Sequence, residues 1–118
     1  MELCDLLFVY GTLRRRSAHP MARWLRLNST FLGEAKTSGE LIDLGAYPGL
    51  IDTSHPNKNV SGDLFRLHNA NVALKRLDRY EGCGPGFRSP TEYVRILRNV
   101  SHNGERVEAW LYLYNRVL

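Results

Sequence analysis

The sequence predicts an α+β domain with a mostly antiparallel, barrel-like sheet and flanking helices, and three observations carry that prediction. The elements run strand, helix, several strands, helix, two strands, which is not the alternation of a doubly wound parallel sheet. The apolar run Leu6-Leu7-Phe8-Val9 reads as a strand buried on both faces. Asn103-Gly104, between two alternating runs, is the strongest short hairpin signal a sequence offers. The 118 residues, taken as one domain over 1–118, suffice for one core and are too few for two.

The first strand ends in Tyr10-Gly11-Thr12-Leu13, where the glycine marks a turn and a close backbone approach. Successive N–H groups in such a turn, freed from a ladder, can bind an anion. Residues 10 to 13 are therefore the first candidate binding site. A short amphipathic helix follows, with Ser17 or His19 at its start, Pro20 in its first turn, and Met21, Trp24, Leu25 and Asn28 on one face. Arg23 and Arg26 point outward. A strand is expected from Ala35 to Leu44, interrupted at Gly39, then a turn over 45–49 and a short strand at Leu50-Ile51. His55 to Asn59 form a polar loop, Val60 to Leu67 a strand, and residues 69 to 81 the clearest helix. Three glycines and two prolines exclude regular structure from 82 to 90. Strands over Thr91–Asn99 and Glu105–Asn115 complete the chain.

A composition of 43% hydrophobic and 24% charged residues is ordinary for a globular domain. No apolar stretch approaches the roughly 18 residues of a membrane span, and the N-terminus lacks a signal-peptide layout, so a cytoplasmic location is expected, away from membranes. Cys4 and Cys83 are too far apart in sequence for a metal motif and read as free thiols. The net charge of +4 fits an acidic small substrate, and no nucleic-acid signature accompanies it. Arg14 to Arg16 read as a solvated run that could steer such a substrate toward the neighbouring turn. The four histidines show no ligand spacing.

One carboxylate stands in an unexpected place. At about 100° per residue, Ala70, Leu74 and Leu77 form a narrow apolar stripe on the second helix, with Glu81 in its middle and Asp78 at its edge. Partial burial, together with the carbonyl end of the helix, should raise the Glu81 pKa toward neutrality, where it can both take and give a proton. Gly82 suits the left-handed position that ends a helix. Spacing alone leaves open that Glu81 lies past the last turn and points to solvent.

The turn Tyr10-Gly11-Thr12-Leu13, followed some seventy residues later by Leu77-Asp78-Arg79-Tyr80-Glu81-Gly82, closely resembles the gamma-glutamylcyclotransferase-like superfamily, in its AIG2-like and gamma-glutamylamine cyclotransferase branch. Gly45-Ala46-Tyr47-Pro48-Gly49-Leu50, Val60-Ser61-Gly62-Asp63-Leu64-Phe65 and Tyr93-Val94-Arg95 resemble further family segments in the same order. The resemblance implies a small mixed barrel with a cavity into which the turn projects. It implies that Glu81 is the acid/base and that Tyr10, Gly11, Thr12 and Leu13 hold a small γ-glutamyl substrate. It also implies cyclisation to 5-oxoproline with release of an amine or amino acid, without metal or organic cofactor.

Tyr10 either turns its hydroxyl to the substrate or plugs the barrel. Tyr93 and Arg95 share one strand face and are further substrate-binding candidates if that face is the cavity's. Trp24, Trp110, Tyr112 and Tyr114 read as core and barrel wall. The 82–90 segment, with Cys83-Gly84-Pro85-Gly86-Phe87, is richer in Gly and Pro than a connection needs and suits a lid or a substrate-selecting loop. The competing function is a non-catalytic module for a small acidic metabolite or a protein partner, and the sequence leaves the oligomeric state open.

Overall fold

The computed structural model describes residues 4–11, 13–45, 47–84, 86–87 and 90–116. Its elements are β1 (Leu6–Val9), α1 (Pro20–Leu27), β2 (Ser29–Ser38), β3 (Glu40–Asp43), β4 (Pro48–Ile51), β5 (Asn59–Leu67), α2 (Ala70–Glu81), β6 (Tyr93–His102) and β7 (Glu105–Tyr114). Five strands close a barrel in the order β1, β5, β2, β6, β7, while β3 and β4 pair separately. Barrel pairings are antiparallel except where β1 runs parallel to β7 at Leu7 and Trp110. The expected mixed, mostly antiparallel barrel with flanking helices is therefore present.

The buried β1 run serves two cores at once. Phe8 points into the barrel with Ala35, Leu64, Val100 and Leu111. Leu7 and Val9 face outward and pack with Leu25, Leu74 and Leu77, joining β1 to both helices. Full burial of each such side chain is worth roughly 1.5–3 kcal/mol, so this four-residue strand anchors disproportionate stability. β5 can cross β1 because Gly62 has no side chain: a Cβ there would strike the Val9 carbonyl oxygen and lie 2.6 Å from Phe8 Cζ.

Helix starts follow local chemistry. His19, not Ser17, caps α1: its Nδ1 accepts from the Met21 N–H at 3.1 Å, while the Ser17 hydroxyl accepts from the His19 N–H. Asn69 caps α2 through the Val72 N–H. Asn103 and Gly104, with φ of 51° and 78°, make the predicted tight hairpin turn between β6 and β7.

Element limits differ from the sequence expectation in physically readable places. β2 begins at Ser29 rather than Ala35, because Ser29 to Phe31 pair with Leu67 to Phe65 before a register shift between Phe31 and Gly33. That bulge breaks the alternation on which the expectation rested. β6 begins at Tyr93 and runs on to His102, carried by the hairpin ladder to Glu105.

Candidate functional site

The end of α2 fixes the position of Glu81. Gly82 adopts φ 70°, its N–H donates to the Arg79 carbonyl at 3.2 Å, and the Cys83 N–H donates to the Asp78 carbonyl at 2.9 Å. These paired bonds are a Schellman closure, which a left-handed residue just past the helix makes possible. Glu81 is thus the last helical residue, in line with the buried Leu74 and Leu77. Instead of reaching solvent past the helix end, it lines a cavity of about 750 Å³.

The cavity opens where the ends of several elements meet. Val9, Tyr10, Gly11 and Leu13 supply the wall at the end of β1; Tyr47 and Pro48 come from the β3–β4 turn; Glu92, Tyr93 and Tyr112 come from the start of β6 and the end of β7. His19, Tyr80, Phe87 and Arg116 complete the lining, and the exposed side chains of the last three mark the solvent side, its mouth. The candidates Tyr10, Gly11, Leu13, Glu81 and Tyr93 therefore share one space. Thr12 lies outside the described residues.

Burial pushes the Glu81 carboxyl up to about 7, and the nearby Glu92 carboxylate is the second contributor. The sequence reading identified the first cause and missed Glu92, naming the helix end in its place. Among the described residues no donor hydrogen-bonds the Glu81 carboxylate. A group so placed is half ionised near neutral pH and open to a substrate proton. Glu92 itself accepts from the Tyr47 hydroxyl and lies 3.5 Å from Arg116 Nη1.

The two tyrosines in the wall have committed hydroxyls. Tyr10 donates to the Tyr112 carbonyl at 2.5 Å and accepts from the Leu50 N–H at 3.2 Å, and Tyr93 donates to the Pro48 carbonyl at 3.1 Å. Burial raises both phenol pKa values, so each stays a neutral donor. They present rings to the cavity and tie β4 to the barrel. Tyr10 thus combines wall and strut, closer to the plug of the two sequence alternatives.

Arg95 is not brought to the cavity. Its Nε and Nη2 donate to Asp78 at 2.7 and 3.0 Å, and its guanidinium lies 4.3 Å from the Trp110 ring centroid. Tyr112 adds a third bond to Asp78, at 2.7 Å. Asp78 thereby fastens α2 to β6 and β7 one helical turn before Glu81. Strand alternation placed Tyr93 and Arg95 on one face correctly, but only the first reaches past the end of α2.

Of the three arginines after the turn, Arg16 is exposed as expected, but Arg14 and Arg15 are not merely solvated. Asp63 has a side chain 1% exposed and accepts from Arg15 Nη1 at 2.6 Å, the Arg15 N–H at 2.8 Å and Arg14 Nη2 at 3.2 Å. Arg15 also lies over the Phe31 ring. These bonds pin the chain just after Leu13 to β5, and so position the turn that forms one cavity wall. The signal was the acidic residue of Val60-Ser61-Gly62-Asp63, a carboxylate in an apolar strand that required a cation.

Sequence reasoning also missed Tyr47, Tyr80, His19 and Arg116 at the mouth. They reach it from separate turns and termini, and no local spacing announces that. Among the described residues, no three His, Cys, Asp or Glu side chains are grouped to hold a metal ion, and no helix is long and apolar enough to cross a membrane.

Residues 7–117 match the family described as "Gamma-glutamyl cyclotransferase, AIG2-like". The chain is 34% identical over 112 residues to a Vibrio cholerae serotype O1 protein named "Putative gamma-glutamylcyclotransferase", a match covering 92% of this chain and 81% of that one. Among solved structures, an AIG2-like protein of Mus musculus superposes with a TM-score of 0.72 at 24% identity, over 92% of this chain and 76% of that one. YkqA of Bacillus subtilis gives 0.73 at 23% identity over 96% of this chain, which spans only 36% of YkqA's length. At these identities the structural likeness concerns the fold.

Proposed function

The chain belongs to the gamma-glutamyl cyclotransferase, AIG2-like family, and we propose that it cyclises a small γ-glutamyl compound to 5-oxoproline with Glu81 as the acid/base. The observation that carries this reading is the Glu81 carboxylate, raised to about 7 in a cavity that Gly11 and Leu13 also line. The mechanism follows from what the substrate needs. Its α-ammonium group must lose a proton before nitrogen can attack, and the departing nitrogen must gain one.

In the proposed sequence the Glu81 carboxylate takes a proton from the α-ammonium. The freed nitrogen attacks the γ-carbonyl carbon, forming the ring C–N bond, and the carbonyl π electrons move to oxygen. As they return, the bond to the leaving nitrogen breaks and Glu81 delivers its proton there. Glu81 then takes the second proton lost by the ring nitrogen and passes it to the released amine, which departs as an ammonium ion. Two protons leave one nitrogen and two arrive at the other, so the reaction balances without an outside reagent.

Backbone amides of Gly11 and Leu13 are suited to hold the α-carboxylate or the developing oxyanion. Holding the γ-glutamyl group folded, so that amine and carbonyl meet, accounts for a large share of the acceleration. Arg95 acts in this scheme as a positioning residue rather than as a substrate ligand. The test is incubation with a panel of γ-glutamyl amides and amino acids, with 5-oxoproline quantified. Product from at least one is expected. Binding of γ-glutamyl compounds without turnover would instead favour the non-catalytic binding module.

A further inference from the structure

Resting on the cyclotransferase reading, we infer that the outer part of the cavity is an aromatic-lined subsite for an apolar, ring-bearing leaving amine. Among the described residues four aromatic side chains stand well exposed: Phe31, Tyr47, Tyr80 and Phe87. Phe31 does not line the cavity; the Arg15 guanidinium lies 4.4 Å from its ring centroid. The other three, exposed to 38, 37 and 42%, all line the one cavity that holds Glu81. Exposed aromatic surface gathered in one place marks a binding surface rather than a core.

The size of the space points the same way. A cavity of about 750 Å³ falls in the range that encloses a drug-sized ligand, whereas a γ-glutamyl group has about nine non-hydrogen atoms. Seated at the Gly11–Leu13 turn with its carbonyl by Glu81, that group leaves the mouth to whatever hangs from the leaving nitrogen. The three rings reach the mouth from different parts of the chain: the β3–β4 turn, the last turn of α2 and the 82–90 segment. Tyr80 is braced edge-on by His19, with centroids 5.4 Å apart, and Tyr47 packs against Tyr93 at 6.2 Å. Two walls are thus held before any ligand arrives, which lowers the ordering cost of binding.

Charge favours a neutral group over a cationic one. The carboxylate at the mouth, Glu92, is already engaged by the Tyr47 hydroxyl and by Arg116. Arg116 adds positive charge to the same rim, and Glu81 is half neutral near pH 7. An aromatic ring entering here has other rings to pair with, edge-to-face or offset.

The test compares kcat/KM for γ-glutamyl phenethylamide, γ-glutamyl methylamide, the γ-glutamyl conjugate of a diaminoalkane, and γ-glutamylalanine. All four carry the same scissile group. The wild type should favour phenethylamide over methylamide by about ten-fold or more. Phe87→Ala and Tyr80→Ala should each bring that ratio down toward one, and Tyr80→Phe, which keeps the ring, should retain it. Equal rates on the two amides, preference for the diamine or alanine conjugate, or a ratio unmoved by both alanine variants would overturn the subsite. Turnover of none of the four would overturn the cyclotransferase reading itself, and the subsite with it.

Discussion

Asp78 and Arg95 form a two-pronged ion pair, 2.7 and 3.0 Å, that joins α2 to β6 one helical turn ahead of Glu81. Its consequence is orientation: Asp78 also takes the Tyr112 hydroxyl, so the last turn of α2 is held from two strands. Arg95→Lys retains charge but loses the fork that grips a carboxylate at two points. It should lower kcat several-fold with little change in KM, and Arg95→Ala should do so more severely. A changed KM with intact kcat would show that Arg95 meets substrate instead.

Glu92 raises the pKa of Glu81 through like charge across the cavity. Glu92→Gln should therefore lower the Glu81 pKa and move the acidic limb of the pH–rate profile to lower pH. Carboxyl NMR titration of Glu81 in both proteins checks the same shift without turnover. An unchanged Glu81 titration would leave burial as the whole cause.

Asp63 is buried beneath the partly exposed Arg14 and Arg15, and its removal would leave the Arg15 N–H without its acceptor. Asp63→Ala should cost about 1–3 kcal/mol in denaturant unfolding. Because Asp63 also accepts the Arg15 N–H, any residual folded protein should bind γ-glutamyl substrate more weakly through a loosened turn. Arg15→Met tests the turn with less loss of packing.

Stability should depend on pH through Glu81. The folded pKa, about 7, exceeds the ordinary 4.5, so the native state binds the proton more tightly. The corresponding stability is fully present below about pH 4.5 and is lost as pH rises through 7. Glu81→Gln, which stays neutral, should match the wild type at acid pH and exceed it at pH 8 by a few kcal/mol, on the order of 3. Chemical denaturation of the two proteins at both pH values measures the difference.

Much of this architecture could be read from local signals. The apolar β1 run, the Asn103-Gly104 hairpin and the Glu81 stripe each follow from a period or a turn requirement, and each stands where expected. What escaped depends on contacts between distant segments. Arg14 and Arg15 looked solvated because their partner, Asp63, is 48 residues further on in the case of Arg15. Glu92 carried no signal of its own, since it precedes a strand and faces Glu81 only when the barrel closes. Arg95 shares a strand face with Tyr93, but alternation cannot tell which stretch of that face a helix covers.

The central claim is that Glu81 moves the protons in a cavity built to hold a γ-glutamyl group. The most direct measurement is 5-oxoproline release by wild type and Glu81→Gln on the best γ-glutamyl substrate, with substrate binding by calorimetry alongside. Loss of at least about a hundred-fold in kcat with binding retained is the predicted result. Turnover by Glu81→Gln at the wild-type rate would contradict the account.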